Sequence, residues 1–155
     1  MTVAVADAGP LIHLGEIGAL DLLETFDDCL VPETVVEEVE RGGAPPGLDE
    51  LRIDRVTAPS SDRFDGLDPG ERAALTVSDA QNAVVLTDDL EAREAAQSID
   101  IEVRGSIGVI ALGYTRGLID RDEAVTLMRA LHRDASLFVS ESVVEQGIAL
   151  LDERS

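Results

Sequence analysis

The chain has no tryptophan and no lysine, and its 155 residues include only three phenylalanines, one tyrosine and one cysteine. Each absence excludes something. Without lysine there can be no Walker A phosphate loop and no Schiff-base chemistry. The single Cys29 cannot close an internal disulfide. No apolar run approaches the ~18 residues of a membrane span. The opening MTVAVADAG lacks the basic start and long apolar stretch of a secretory signal. These features lead us to expect a soluble, cytoplasmic protein with one domain over residues 1–155.

Negative charge is what the chain has in excess. Acids number 32 against 12 basic residues, all arginines, for a net charge of -20. The composition is not that of a disordered chain, because 45% of residues are apolar and they recur periodically. A lysine-free acidic surface around an ordinary core suggests adaptation to concentrated salt. At ~1 M salt the Debye length is about 3 Å and self-repulsion is largely screened. In dilute buffer the same charge destabilises the compact state.

Apolar runs and helical patterns alternate. TVAVAD (2–7) reads as a buried strand ending in an acid. The next helical pattern is split into two by Gly15 and Gly18. DCLV (28–31) is a second strand, and Pro32 suits the start of the helix ETVVEEVE. GGAPPG (42–47) is a surface turn, and LRIDRV (51–56) a third strand. LDPGERAAL opens a helix with Asp68 as N-cap, Pro69 at N1 and Glu71 at N3. AVVLT (83–87), a helix over 89–98, IEVRG (101–105) and a helix over 106–117 follow. Two more helices, with Asp120 and Ser140 as N-caps, make residues 118–155 a C-terminal helical extension. The alternation predicts a three-layer α/β/α sandwich around a mostly parallel sheet of about five strands. In such sheets, sites lie beyond the C-terminal strand ends. Asp7 ends the first strand, and Asp88 and Asp89 end the fourth.

Taken singly, Asp7, Glu71 and Asp88 or Asp89 can each be a helix cap, and Glu38 a solvated helix residue. Taken together they suggest more. One cap needs one acid, so the adjacent pair at 88–89 leaves an acid over. In helix 33–40, Val35, Val36 and Val39 form an apolar stripe that Glu38 flanks, while Glu37 points away. Converging carboxylates repel unless a hard divalent cation joins them. Mg²⁺ or Mn²⁺ takes oxygen ligands and suits hydrolysis of a phosphodiester.

These stretches resemble the PIN-domain ribonucleases. VADAGPLIHLGEIGALDLL is similar to the family's opening strand and helix, VPETVVEEVE to its second motif, LDPGERAAL to its third and VVLTDDLEAR to its fourth. The resemblance implies a parallel sheet of order 3-2-1-4-5. It implies a catalytic, metal-binding set of Asp7, Glu38, Glu71 and Asp89, with Asp88 as a close accessory on the metal. Glu37 and Asp68 are the alternatives for the second and third positions. It also implies Mg²⁺- or Mn²⁺-dependent endonuclease cleavage of single-stranded RNA. VRGSIGVIALGYTRG and the helices after it are similar to the short prokaryotic VapC-like toxins, which implies a small antitoxin partner and a homodimer.

Three further residues have two readings each. Ser106 either caps its helix or hydrogen-bonds an acid of the site. Arg93 and Arg41 each either contact substrate phosphate or pair with an acid one turn away. His13 and His132 are read as structural. The alternative to catalysis is a PIN-fold binding or regulatory module of weak activity. A haloacid-dehalogenase phosphatase needs an acid two residues after Asp7, where this chain has Gly9. The charge of -20 also opposes a polyanionic substrate, which proteins usually attract with basic surface.

Overall fold

A computed structural model describes residues 2–45, 47–135, 137 and 139–153. Pro46 of the predicted 42–47 turn and the last two residues of the predicted extension lie outside them. The five strands are β1 (Val3–Ala6), β2 (Asp28–Pro32), β3 (Asp54–Val56), β4 (Val84–Leu86) and β5 (Val103–Arg104). They form one sheet of order β3-β2-β1-β4-β5, with every neighbouring pair parallel. This is the expected 3-2-1-4-5 arrangement.

The strands follow from the apolar runs. A central parallel strand is covered on both faces and needs no alternation. Ala4, Val5 and Ala6 are accordingly all fully buried, and β4 is buried throughout. Strands β3 and β5 are shorter than their sequence runs predict. Both lie at a sheet edge and have one neighbour each to pair with.

Among the described residues, seven α-helices cover the sheet: α1 (Ala8–Glu16), α2 (Glu33–Arg41), α3 (Pro69–Gln81), α4 (Leu90–Ser98), α5 (Ser106–Thr115), α6 (Arg121–Arg133) and α7 (Glu141–Glu153). The two glycines divide the first helical pattern as expected, into α1 and a 3₁₀ helix at Leu20–Thr25. Ala4, Ala6 and Leu86 face a core built from α1, α2, α5, α6 and α7. Val5 and Val85 face a second core built from α3 and α4. The period-2 alternation of strand side chains produces this division.

Several caps form as the sequence predicts. Asp68 and Glu71 make a reciprocal capping box at α3, with Pro69 at N1. Asp120 accepts from the Glu123 N–H at 2.8 Å. The Val143 N–H donates to Ser140 Oγ at 3.2 Å. At α5 the cap is Gly105 rather than Ser106, which becomes the first helical residue.

The strand ends matter most for the site. Ala6 pairs with Leu86, and Leu86 with Arg104. The next residues continue the ladder, with Asp7 N–H donating to Leu86 O at 2.9 Å and Thr87 N–H to Arg104 O at 3.0 Å. Asp7, Thr87 and Gly105 therefore emerge side by side. Strand order reverses between β1 and β4, since the chain runs outward from β1 to β2 and β3 and returns to place β4 on the other side of β1, so the crevice opens at the switch point of the sheet.

The C-terminal helices are part of the first core, where Met128, Leu131 and Leu151 are fully buried. Met128→Ala should therefore lower the unfolding free energy by about 2–5 kcal/mol, read by urea denaturation in molar KCl. A loss below about 1 kcal/mol would mean that α6 and α7 are only loosely attached.

Candidate active site

The crevice is a cleft of about 330 Å³ lined by Asp7, Glu38, Asp68, Glu71, Asp88 and Asp89, with His13 and Thr87 beside them. Local chemistry brings each acid there. Asp7 ends β1 and caps α1, accepting from the Ala8 N–H at 2.8 Å through Oδ1. Its Oδ2 accepts from the Thr87 hydroxyl at 3.0 Å. That hydroxyl also accepts from the Asp89 N–H at 3.2 Å, tying the ends of β1 and β4 together. Asp89 caps α4 through the Ala92 N–H at 2.9 Å. Asp68 and Glu71 arrive on the first turn of α3.

Glu38 comes from α2 on the flank of its valine stripe. Gly70 marks how closely these groups approach one another. A methyl group there would lie 2.9 Å from Glu38 Oε1 and 3.6 Å from both Asp7 Oδ1 and Asp68 Oδ1. A small residue at this position leaves the carboxylates room to face one another.

The crowding shows in the electrostatics. Burial pushes the Asp7 carboxyl up to about 6, and the charges of Asp68 and Glu38 push the same way. The bonds from Ala8 and Thr87 oppose the rise. Glu71 is held well above the usual carboxylate range, first by burial and then by a hydrogen bond with Asp89. Glu38 is raised by burial and by Asp68, while Arg41 lowers it. Among the described residues, no three acids, histidines or cysteines form a ready-made metal cage.

Asp88 is held differently from its neighbours. Its Oδ2 lies 2.7 Å from His13 Nδ1 and accepts from the Ser106 hydroxyl at 2.6 Å. Its Oδ1 accepts from the Ser106 N–H at 2.6 Å. These bonds outweigh the burial that would raise the group, and Asp88 is held below the ordinary carboxylate range.

A family model described as a PIN domain matches residues 3–153. The chain belongs to the PIN-domain family. PIN domains are in general nucleases that bind RNA and use divalent metals. Among solved structures, a PilT N-terminus domain protein of the archaeon Sulfolobus solfataricus is similar, with a TM-score of 0.61 and 17% identity. The likeness covers 77% of this chain and 97% of that one, and at this identity it shows the fold alone. The curated proteins include no match to the sequence.

The cleft of this PIN domain thus gathers Asp7, Glu38, Glu71, Asp88 and Asp89 from four separate stretches of sequence. Asp68 lines it too, as an addition to Glu71 rather than a replacement. Glu37 is exposed on α2, and Arg41 Nε donates to its carbonyl at 3.3 Å. Arg41 is exposed and does not line the cleft, so its influence on Glu38 is electrostatic. Arg93 does not pair with Asp89 and makes no ion pair among the described residues. It lines a neighbouring groove with Asp88, Gly105 and Ser106.

Asp88 lines the cleft, yet its hydrogen bonds run to His13 and Ser106 rather than toward the other acids. His13 is the residue that sequence reasoning set aside. Gly9 and His13 lie one turn apart on α1 and both face Asp88, since a methyl group on Gly9 would sit 3.6 Å from Asp88 Cβ and from His13 Cε1. That small-residue and histidine stripe was the available signal.

The raised Asp7 has a consequence for stability. Between the ordinary 3.8 and about 6, the folded state keeps a proton that the unfolded state has lost. Stability therefore falls as pH rises through that window, and the loss persists above it. Asp7→Asn keeps both local hydrogen bonds possible and removes the charge. It should stabilise the metal-free protein near neutral pH by up to roughly 3 kcal/mol and have little effect below about pH 4. Urea unfolding with EDTA in molar KCl at both pH values checks this; a neutral-pH loss of stability would contradict it.

Proposed function

We propose that this PIN domain is a Mg²⁺- or Mn²⁺-dependent endoribonuclease that hydrolyses phosphodiester bonds of single-stranded RNA. The observation that carries the reading is the convergence of Asp7, Glu38, Glu71 and Asp89 on one cleft, with Asp7 and Glu71 pushed up by burial. Structure alone gains nothing from this mutual repulsion. A divalent cation makes it favourable.

The donor set fits such an ion. It is all oxygen, it carries excess negative charge, and no arginine among the described residues lines the same cleft. Mg²⁺ is commonly held through one or two carboxylates with water completing the shell, so it does not require a closed protein cage. Asp7, Glu38, Glu71 and Asp89 would hold it, with Asp68 beside them; the Asp88 oxygens are already engaged by His13 and Ser106, so Asp88, the accessory that the resemblance implies, would stand behind these acids rather than on the ion. When bound, it would polarise the phosphodiester and activate water.

The chain's own residues set the stage. Thr87 joins the Asp7 carboxylate to the Asp89 backbone N–H through its hydroxyl, which links the chain segments that carry the two acids. The capping box uses Glu71 Oε1 to accept from the Asp68 N–H at 3.1 Å, which fixes the side chain and leaves Oε2 outside the box. Arg93, beside the cleft and without an ion pair among the described residues, is a candidate contact for substrate phosphate. Arg41 would act through its field.

The finer elements of the reading are a VapC-like toxin role, a small antitoxin partner, a homodimer and a cytoplasm rich in salt. The similarity of residues 103–117 and the helices after them to short prokaryotic toxins supports the first three, and the charge of -20 supports the last.

RNA cleavage with Mn²⁺ in molar KCl should fall at least about 100-fold in Asp7→Asn. Equal rates would remove Asp7 from the mechanism. No cleavage, together with no metal binding by calorimetry, would favour a binding module. Salt gives a separate check: the unfolding temperature should rise steadily from dilute buffer to molar KCl, and a protein most stable in dilute buffer would contradict the halophilic reading.

A further inference from the structure

His13, Asp88 and Ser106 have no part in the metal reading, yet they form a connected chain at the wall of the cleft. Ser106 is fully buried and gives Asp88 two hydrogen bonds, one from its backbone N–H and one from its hydroxyl. Asp88 passes the third contact to His13 Nδ1 at 2.7 Å, across 75 residues of sequence. With Ser106 as the donor in both bonds, Asp88 acts toward the ring as an acceptor. In a neutral imidazole the hydrogen therefore sits on Nδ1, and Nε2 presents a lone pair. Nε2 has no hydrogen-bond partner among the described residues. The His13 side chain keeps 14% of its surface exposed. The side chain lines the cleft that holds Asp7, Glu71 and Asp89. Three elements, α1, the β4–α4 turn and the start of α5, thus fix one imidazole at the site.

A tie between α1 and α5 would need only Nδ1. It gives no reason for the ring's second nitrogen to lack a partner among the described residues on a side chain that lines the acidic cleft. We propose that His13 is a catalytic residue whose Nε2 accepts a hydrogen bond from the water that attacks the phosphodiester, with Asp88 and Ser106 as the positioning residues behind it. The proposal rests on the ribonuclease reading above. Its logic is that of a carboxylate fixing the tautomer and direction of an imidazole. It also separates the adjacent aspartates: Asp89 serves the cleft, and Asp88 serves His13.

His13→Asn is the discriminating variant. The asparagine Nδ2 can take the place of Nδ1 and keep the bond to Asp88, but nothing replaces Nε2. The expected result is an unfolding midpoint like that of the wild type, kcat on an RNA oligonucleotide reduced about 100-fold and KM little changed. Nitrogen-15 NMR of the wild-type ring, which depends on no variant, should show the neutral Nδ1–H tautomer at His13. Asp88→Asn and Ser106→Ala should weaken that preference and lower kcat with it.

Wild-type kcat in His13→Asn, with cleavage still abolished by Asp7→Asn, overturns the role of His13 alone. So does a neutral Nε2–H tautomer, or a change confined to KM. Cleavage indifferent to Asp7→Asn removes the ribonuclease reading itself, and this inference goes with it.

Discussion

Mutual repulsion among carboxylates in one half-buried cleft is the constraint around which this molecule is organised. Four stretches of the chain bring acids to the cleft, and they stay together nonetheless. The helix starts make this possible. Asp7, Asp68 with Glu71, and Asp89 each sit at the N-terminus of a helix, where free N–H groups and the helix dipole favour negative charge. Each acid is satisfied locally, while the set is strained collectively. A carboxylate oxygen that accepts one hydrogen bond still has another lone pair to offer. Capping and cation binding are therefore compatible uses of the same side chain, and choosing between them for any one acid is the wrong question.

The fold was legible because its signals are local. Apolar runs of four or five residues, Pro69 after Asp68, and glycines between helical patterns each act within a few positions of themselves. The valine stripe of α2 likewise separated Glu38, which lines the cleft, from Glu37, which is exposed. The shortness of β3 and β5 was not legible, because it depends on having a neighbour on one side only. The Asp88–His13 contact was also hidden. Its partners are 75 residues apart, and a histidine among leucines and isoleucines on α1 reads as core. Only the parallel register of β1 and β4 brings Asp88 opposite His13. Ser106 fell between two readings for the same reason: local pattern makes it a cap, and tertiary structure gives that position to Gly105.

The surface carries a different version of the same electrostatic problem. Six arginines, at positions 55, 63, 72, 104, 121 and 129, are tied to acids at 2.6 to 3.6 Å. Such exposed pairs contribute little individually, about 0–1 kcal/mol. They also leave most of the 32 acids without a cationic partner, because only 12 arginines exist to serve them. Screening by salt, rather than pairing, is what can hold the surface charge in check.

Concentrated salt then changes what a nuclease of this kind needs. Basic surfaces raise affinity and steer substrates through long-range fields, and both effects fade as ionic strength rises. A protein working at a Debye length of about 3 Å gains little from a basic face and loses little from an acidic one. Recognition has to come from groups in contact with the substrate. On the reading proposed above, the groups available for contact are a cluster of oxygens suited to a divalent ion, an arginine at position 93 with no ion pair among the described residues, and the imidazole of His13 at the cleft wall. The net charge of -20 therefore argues against long-range attraction of RNA without arguing against its cleavage at short range.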